Sequence, residues 1–164
     1  GRIVLVEPEP RLAERLRRKF PDCEVVEVAV GARRAKRRKF NVASMRKWSS
    51  LIEVPSDHSK AGPIETVDRI DVEVAILPDV AAGCNVAVVD TQGTEPDVLA
   101  AADLGALQLV IVETVDPSDV FRPAWPRPAA DAWFAERGWV AVHEFDHVAP
   151  DVKDVAYAPA PNGE

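Results

Sequence analysis

The chain has few cysteines and no long apolar run. Its 164 residues include only two cysteines, Cys23 and Cys84, and their separation fits no metal-binding spacing. We expect both to be reduced core residues rather than a disulfide, which favours a cytoplasmic location. No stretch approaches the roughly 20 apolar residues that span a bilayer, and no signal peptide is recognised, so no membrane role is expected.

An excess of positive charge is also missing. Lys and Arg total 20 against 27 Asp and Glu, which gives a net charge of -7. A protein with this balance is not expected to bind nucleic acid. The apolar fraction of 47% is ordinary for a globular domain with a full core. We therefore expect one domain over residues 1–158 and a frayed tail over 159–164.

The hydrophobic pattern is typical of an α/β protein. Residues 3–6 predict a buried strand, 10–20 a helix with one apolar stripe, and 24–30 a second strand parallel to the first. Thr94 and Asp97 predict a capping box. The remaining predictions are a long loop over 44–64, an edge strand over 67–76, core strands over 86–89 and 107–112, an irregular stretch over 115–128, a helix around Trp133 that Gly138 ends, and closing antiparallel strands over 139–145 and 152–158. Together they predict an open, mostly parallel sheet with helices on both faces.

Three of the predicted core strands end on a carboxylate. Glu7 follows the first strand, Asp90 follows the strand at 86–89, and Glu113 follows the strand at 107–112. In a parallel sheet all three would lie along the edge where α/β sheets bind ligands. A carboxylate after a strand also serves simply to cap a helix or solvate a turn, and the sequence leaves both interpretations open.

Five segments occur in an order that resembles a known family. They are Glu7-Pro8, Val28-Ala29-Val30-Gly31, Ser49-Ser50-Leu51, Asp90-Thr91-Gln92-Gly93-Thr94-Glu95 and Val110-Ile111-Val112-Glu113. Together they resemble the FkbM-type methyltransferases over residues 3–158. The block at 90–95 is the most specific segment. The resemblance implies a Rossmann-like fold of the class I methyltransferase type, with an antiparallel last strand, and the cofactor S-adenosylmethionine.

The resemblance also implies roles for individual residues. Glu7 would bind the ribose hydroxyls of the cofactor, and Ala29 and Val30 would lie near its adenine. Asp90 would lie beside the methionine end and act as general base, with Glu95 as the second candidate.

The methyl acceptor would be a hydroxyl on a sugar or small metabolite. Ser50, Gln92 and Glu113 would contact it, and no metal is expected, because the histidines (His58, His143 and His147) are scattered.

The chain departs from the family pattern at three places. The family's first strand and glycine-rich loop would precede Gly1, so the strands at 3–6 and 86–89 should either pair directly or expose free edges. Val88 stands where many members carry lysine. A basic run at 33–39 replaces a short turn.

The basic run supports an alternative function. A non-catalytic Rossmann-like domain could bind an anionic partner through residues 33–39, which contain no aromatic residue that would stack on a nucleic-acid base. The same run is also explained as a solvated hairpin tip. A nicotinamide-dependent oxidoreductase is a third, weaker alternative, since it too requires an upstream glycine loop.

Overall fold

The structure, a computed structural model, describes residues 1–53, 64–115, 125–146 and 152–161. Several predictions fall outside these ranges: the loop at 54–63, most of the irregular stretch at 116–124, His58, His147 and the end of the tail at 162–164.

Strands predominate over helices in the described residues. The strands are β1 (Val4–Val6), β2 (Glu24–Val26), β3 (Ala29–Val30), β4 (Ala35–Ala43), β5 (Thr66–Ala75), β6 (Val86–Val89), β7 (Leu109–Val115), β8 (Trp139–Asp146) and β9 (Val152–Pro159). The helices are α1 (Pro10–Lys19), α2 (Leu77–Val80), α3 (Glu95–Ala100) and α4 (Arg127–Ala135). The helices predicted at 10–20 and around Trp133, and the closing strands, are confirmed.

The strands form three small sheets. Strands β1 and β2 make a parallel pair. The second sheet has the order β3-β5-β4, in which β3 is parallel to β5 and β4 is antiparallel to it. The third has the order β6-β7-β9-β8, with β6 parallel to β7 and antiparallel pairing at β9.

The prediction of one Rossmann-like, mostly parallel sheet with helices on both faces is therefore wrong. Among the described residues β1 and β6 do not pair, so the parallel strands stay in separate sheets. Helices α2 and α3 have only 4 and 6 residues, too few to cover a sheet face. Strands β4 and β5 contribute a long antiparallel pair instead, because buried Val72 and Val74 alternate with exposed Asp71 and Glu73 in the period of a strand.

The basic run belongs to this antiparallel pair. It was expected at a hairpin tip, but residues 35–39 lie within β4, whose later residues Phe40 and Val42 are buried. These two side chains pack with Val72 and Val74 of β5 in a small core. Burial at one end of the strand thus fixes the register that leaves the basic end in solvent.

A larger core lies under the third sheet and α4. Phe134 is fully buried there and stacks on Tyr157, with ring centroids 3.9 Å apart and an interplanar angle of 10°. Trp133 meets the Phe134 ring edge-on at 5.0 Å. Gly138 ends the α4 region with a φ of 73°, which glycine adopts without strain. These contacts fix α4 against the sheet.

Strands β1 and β6 each keep one free edge among the described residues. In β6, Val89 is 4% exposed whereas Val88 is 71% exposed, so only alternate side chains enter the core. Ile3, just before β1, is 58% exposed. Of the two expectations for these strands, exposed edges rather than direct pairing is the one found. The two edges border the same cavity.

Candidate functional site

An open cavity of about 1110 Å³ extends between β1 and β6 and past their carboxyl ends. Glu7 follows β1 directly and Asp90 follows β6, so one carboxylate comes from each strand. The predicted site residues on its wall are Glu7, Ala29, Val30, Asp90 and Gln92. These residues come from three separate segments of the sequence, and the fold brings them to one surface.

Glu7 offers one free oxygen beside the cavity. The backbone N–H of Glu9 donates to its Oε1 at 2.8 Å, and no described residue donates to Oε2. Burial raises the pKa of Glu7, and the hydrogen bond from Glu9 opposes that rise. The free oxygen can accept a hydrogen bond from a hydroxyl group in the cavity.

An ion pair between buried Glu9 and exposed Arg46 borders the cavity. The Glu9 residue is 4% exposed, and its Oε1 accepts a hydrogen bond from Arg46, which lies on the cavity wall. Its Oε2 has no hydrogen-bond partner among the described residues. The pair ties a short 3-10 turn, Arg46–Trp48, to the start of α1. Sequence reasoning missed it, since the partners are far apart in the chain and the sequence gives no sign of their contact.

The block at 90–95 folds into a tight turn rather than the predicted capping box. Gln92 has a φ of 55° and Gly93 a φ of 97°, so two successive residues lie in the left-handed region. Thr94 is the N-cap residue of α3, but its side chain makes no capping hydrogen bond. The prediction that Thr94 and Asp97 form a capping box is therefore wrong, and Glu95 closes the turn instead.

Glu95 binds the turn through both carboxylate oxygens. Its Oε1 accepts the Thr91 backbone N–H at 2.7 Å, and the Gly93 N–H lies 3.1 and 3.0 Å from Oε1 and Oε2. The residue is 1% exposed, and burial raises its pKa while these hydrogen bonds oppose the rise. This geometry gives Glu95 a structural role, and its use as a base stays a prediction.

Gln92 contacts two further carboxyl groups. Its side-chain Nε2 donates to Asp90 Oδ1 and lies 3.5 Å from Glu113 Oε2. Glu113 does not end its strand as predicted, because β7 continues to Val115. It lies one strand away from Asp90, since β6 and β7 pair in parallel. Asp90 and Glu113, expected along one sheet edge, are therefore brought together.

Glu113 holds its proton unusually tightly. Burial is the main cause, and the negative charges of Asp90, Glu95 and Asp154 add to it, so that its pKa rises to about 8. Lys47 acts in the opposite direction. At neutral pH Glu113 is therefore mostly neutral, and it becomes an anion only as the pH passes about 8.

Ser50 is hydrogen-bonded to the turn at 90–95. It is 1% exposed, and its Oγ donates to the Thr91 carbonyl at 3.2 Å. Its backbone exchanges hydrogen bonds with Asn41 of 2.8 and 3.0 Å. Ser50 thus joins β4 to the 90–95 turn, and its predicted contact with an acceptor stays a prediction.

No family model, no curated protein and no solved structure matches this chain. Among the described residues, no helix combines the length and apolar character needed to cross a bilayer. Within the same ranges, no group of three His, Cys, Asp or Glu side chains is placed to hold a metal ion.

Proposed function

We propose that this protein is an S-adenosylmethionine-dependent methyltransferase that methylates a hydroxyl on a sugar or small metabolite. One observation carries the proposal: Glu7 and Asp90, which were assigned to opposite ends of the cofactor, lie on one continuous cavity wall. We place the protein in the cytoplasm, in keeping with its two free cysteines.

The Glu7 end suits a nucleoside. The free Oε2 of Glu7 accepts a ribose hydroxyl, in the way that a carboxylate after a strand binds ribose in nucleotide-binding α/β proteins. Ala29 and Val30 give the same cavity an apolar wall on which a flat base can pack. The residues present therefore fit the adenosyl group.

The Asp90 end suits a cationic methyl donor. The cofactor would supply the methyl group from a sulfonium. Asp90 faces the cavity beside Gln92, and a carboxylate stabilises a nearby positive charge. Holding an acceptor oxygen in line with that methyl group supplies much of the rate of such a reaction.

The hydroxyl proton has a destination in the same cluster. The Gln92 amide donates to Asp90 and lies 3.5 Å from Glu113, so the two carboxyl groups share one amide. Burial, and after it the negative charge of Asp90, raises the pKa of Glu113 to about 8, so Glu113 retains a proton until about that pH. A carboxyl group placed beside the acceptor can serve as a general base. We assign proton acceptance to this pair, with Asp90 as the group that faces the acceptor.

Isothermal titration of the protein with S-adenosylmethionine tests the proposal. The wild type should bind, and Glu7→Ala should weaken binding by roughly tenfold or more, since charge-assisted hydrogen bonds are lost. Glu14→Ala, on the exposed side of α1, is the matched control and should bind like the wild type. Absence of binding, or equal binding by the Glu7 variant, would overturn the proposal.

A further inference from the structure

The basic segment lies on a free edge of a sheet. Strand β4 pairs with β5 on one side, and no described residue pairs with its other side over 35–40. At Asn41 that second side already pairs with a backbone segment in an isolated bridge, because the Asn41 and Ser50 backbones exchange hydrogen bonds. Alternate residues of a strand direct their backbone groups to the same side, so Lys39 presents its N–H and C=O there too.

The cations of this segment are only partly neutralised. Arg34 donates hydrogen bonds of 2.8 and 2.7 Å to Asp79. Arg37 and Lys39 share one carboxylate, that of Asp71, at 3.6 and 3.1 Å. The Arg37 and Lys39 side chains are 78% and 64% exposed, so water screens these pairs and each stabilises the fold little.

Three further cations, Arg33, Lys36 and Arg38, are exposed and make no ion pair with any described residue. The surrounding stretch, 28–52, contains eight Lys and Arg and no Asp or Glu. A matching partner must therefore bring negative charge. Nucleic acid fits less well, because the molecule carries -7 overall and Phe40, the aromatic residue of β4, is buried away from any base.

We propose that the free edge of β4 binds an acidic protein segment in extended conformation. The segment adds as a strand beside Arg38–Phe40, where the pairing of β4 with β5 is regular. A register shift between Ala35 and Arg38 bends the strand before that point, so the segment cannot pair there through regular backbone hydrogen bonds. Ion pairs supply the rest of the affinity. Carboxylates of the segment pair with Arg33, Lys36 and Arg38. Binding of the segment to this edge does not depend on whether the cavity is catalytic.

Fluorescence anisotropy at low salt tests the proposal with a labelled dodecapeptide of alternating Glu and Thr. The full chain should bind it, and the affinity should fall as salt rises. The triple variant Arg33→Gln, Lys36→Gln, Arg38→Gln should bind about tenfold more weakly, as expected for the loss of several exposed ion pairs. A peptide of alternating Glu and Pro has the same charge but fewer backbone donors, and should also bind more weakly.

A second triple variant controls for overall charge. Arg11→Gln, Arg15→Gln and Arg18→Gln remove the same charge from the exposed face of α1 and should leave peptide binding unchanged. Equal loss in both triple variants, equal binding of the two peptides, or no peptide binding would overturn the proposal. Tighter binding of a thymidine dodecanucleotide than of the peptide would also overturn it, in favour of nucleic acid.

Discussion

The side-chain amide of Gln92 lies 3.5 Å from the Glu113 carboxylate and also donates to Asp90. The backbone of Gln92 is in the left-handed region, with a φ of 55°. Such a conformation is costly for a residue other than glycine, and strained conformations cluster at functional sites. The strained residue thus holds two carboxyl groups of the candidate site in one arrangement.

The raised pKa of Glu113 makes stability depend on pH. The folded state holds this proton up to about pH 8, against an ordinary value of 4.5, so stability should fall as the pH rises between these values. Glu113→Gln mimics the neutral form. The variant should match the wild type at low pH and exceed its stability at high pH, by up to about 5 kcal/mol. Urea midpoints across this range, with exposed Glu136→Gln as control, provide the measurement; parallel profiles would contradict it.

The Glu95 carboxylate should stabilise the fold, whether or not it takes part in catalysis. Glu95→Gln replaces one acceptor oxygen with a donor that faces the Thr91 and Gly93 N–H groups, so we expect a loss of about 1–3 kcal/mol. Asp97→Asn changes an exposed acid in the same helical turn and should stay within about 0.5 kcal/mol of the wild type. Chemical denaturation measures the free energy of unfolding of the two variants. Equal values would contradict a structural role for Glu95.

The turn also depends on Gly93. Its φ of 97° is unfavourable for any residue with a Cβ, so Gly93→Ala should destabilise the fold by roughly 1–2 kcal/mol. Gly105, whose φ is not positive, provides the comparison, and Gly105→Ala should cost less. The melting temperatures of the two variants test this prediction. A larger loss in the Gly105 variant than in the Gly93 variant would show that the turn adopts another conformation.

Neighbouring valines of β6 should differ sharply. Val89→Ala empties part of the core and should cost about 1–3 kcal/mol, because Val89 is 4% exposed. Val88→Ala changes a side chain that is 71% exposed at the cavity edge and should cost less than about 0.5 kcal/mol. Equal losses in urea denaturation would mean that the edge of β6 is covered in solution.

The sequence predicts local elements better than their assembly. Helix α1 follows from its apolar stripe and Pro10, and the pair β8–β9 from two apolar runs close in the chain. The pairing of β4 with β5 was not predicted, because it joins residues across a long connection and the basic run hides the strand pattern. Strand pairing between distant segments depends on packing that a single sequence does not reveal.

The candidate site shows the same division. The segment at 90–95 predicts a functional turn through its own residue types, and the fold brings it to the cavity that Glu7 also lines. The Glu9–Arg46 pair could not be predicted, because its partners are far apart in the chain. The proton affinity of Glu113 could not be predicted either, because it arises from burial and from charges on several elements.

The central claim is that one ligand extends along the cavity from Glu7 to Asp90. Isothermal titration with S-adenosylmethionine and with methylthioadenosine, which lacks the sulfonium and the amino-acid end, tests it most directly. Glu7→Gln should weaken both ligands by roughly tenfold, whereas Asp90→Asn should weaken only S-adenosylmethionine. Unchanged binding of both ligands by the Glu7 variant, or equal loss of both in the Asp90 variant, would contradict the account.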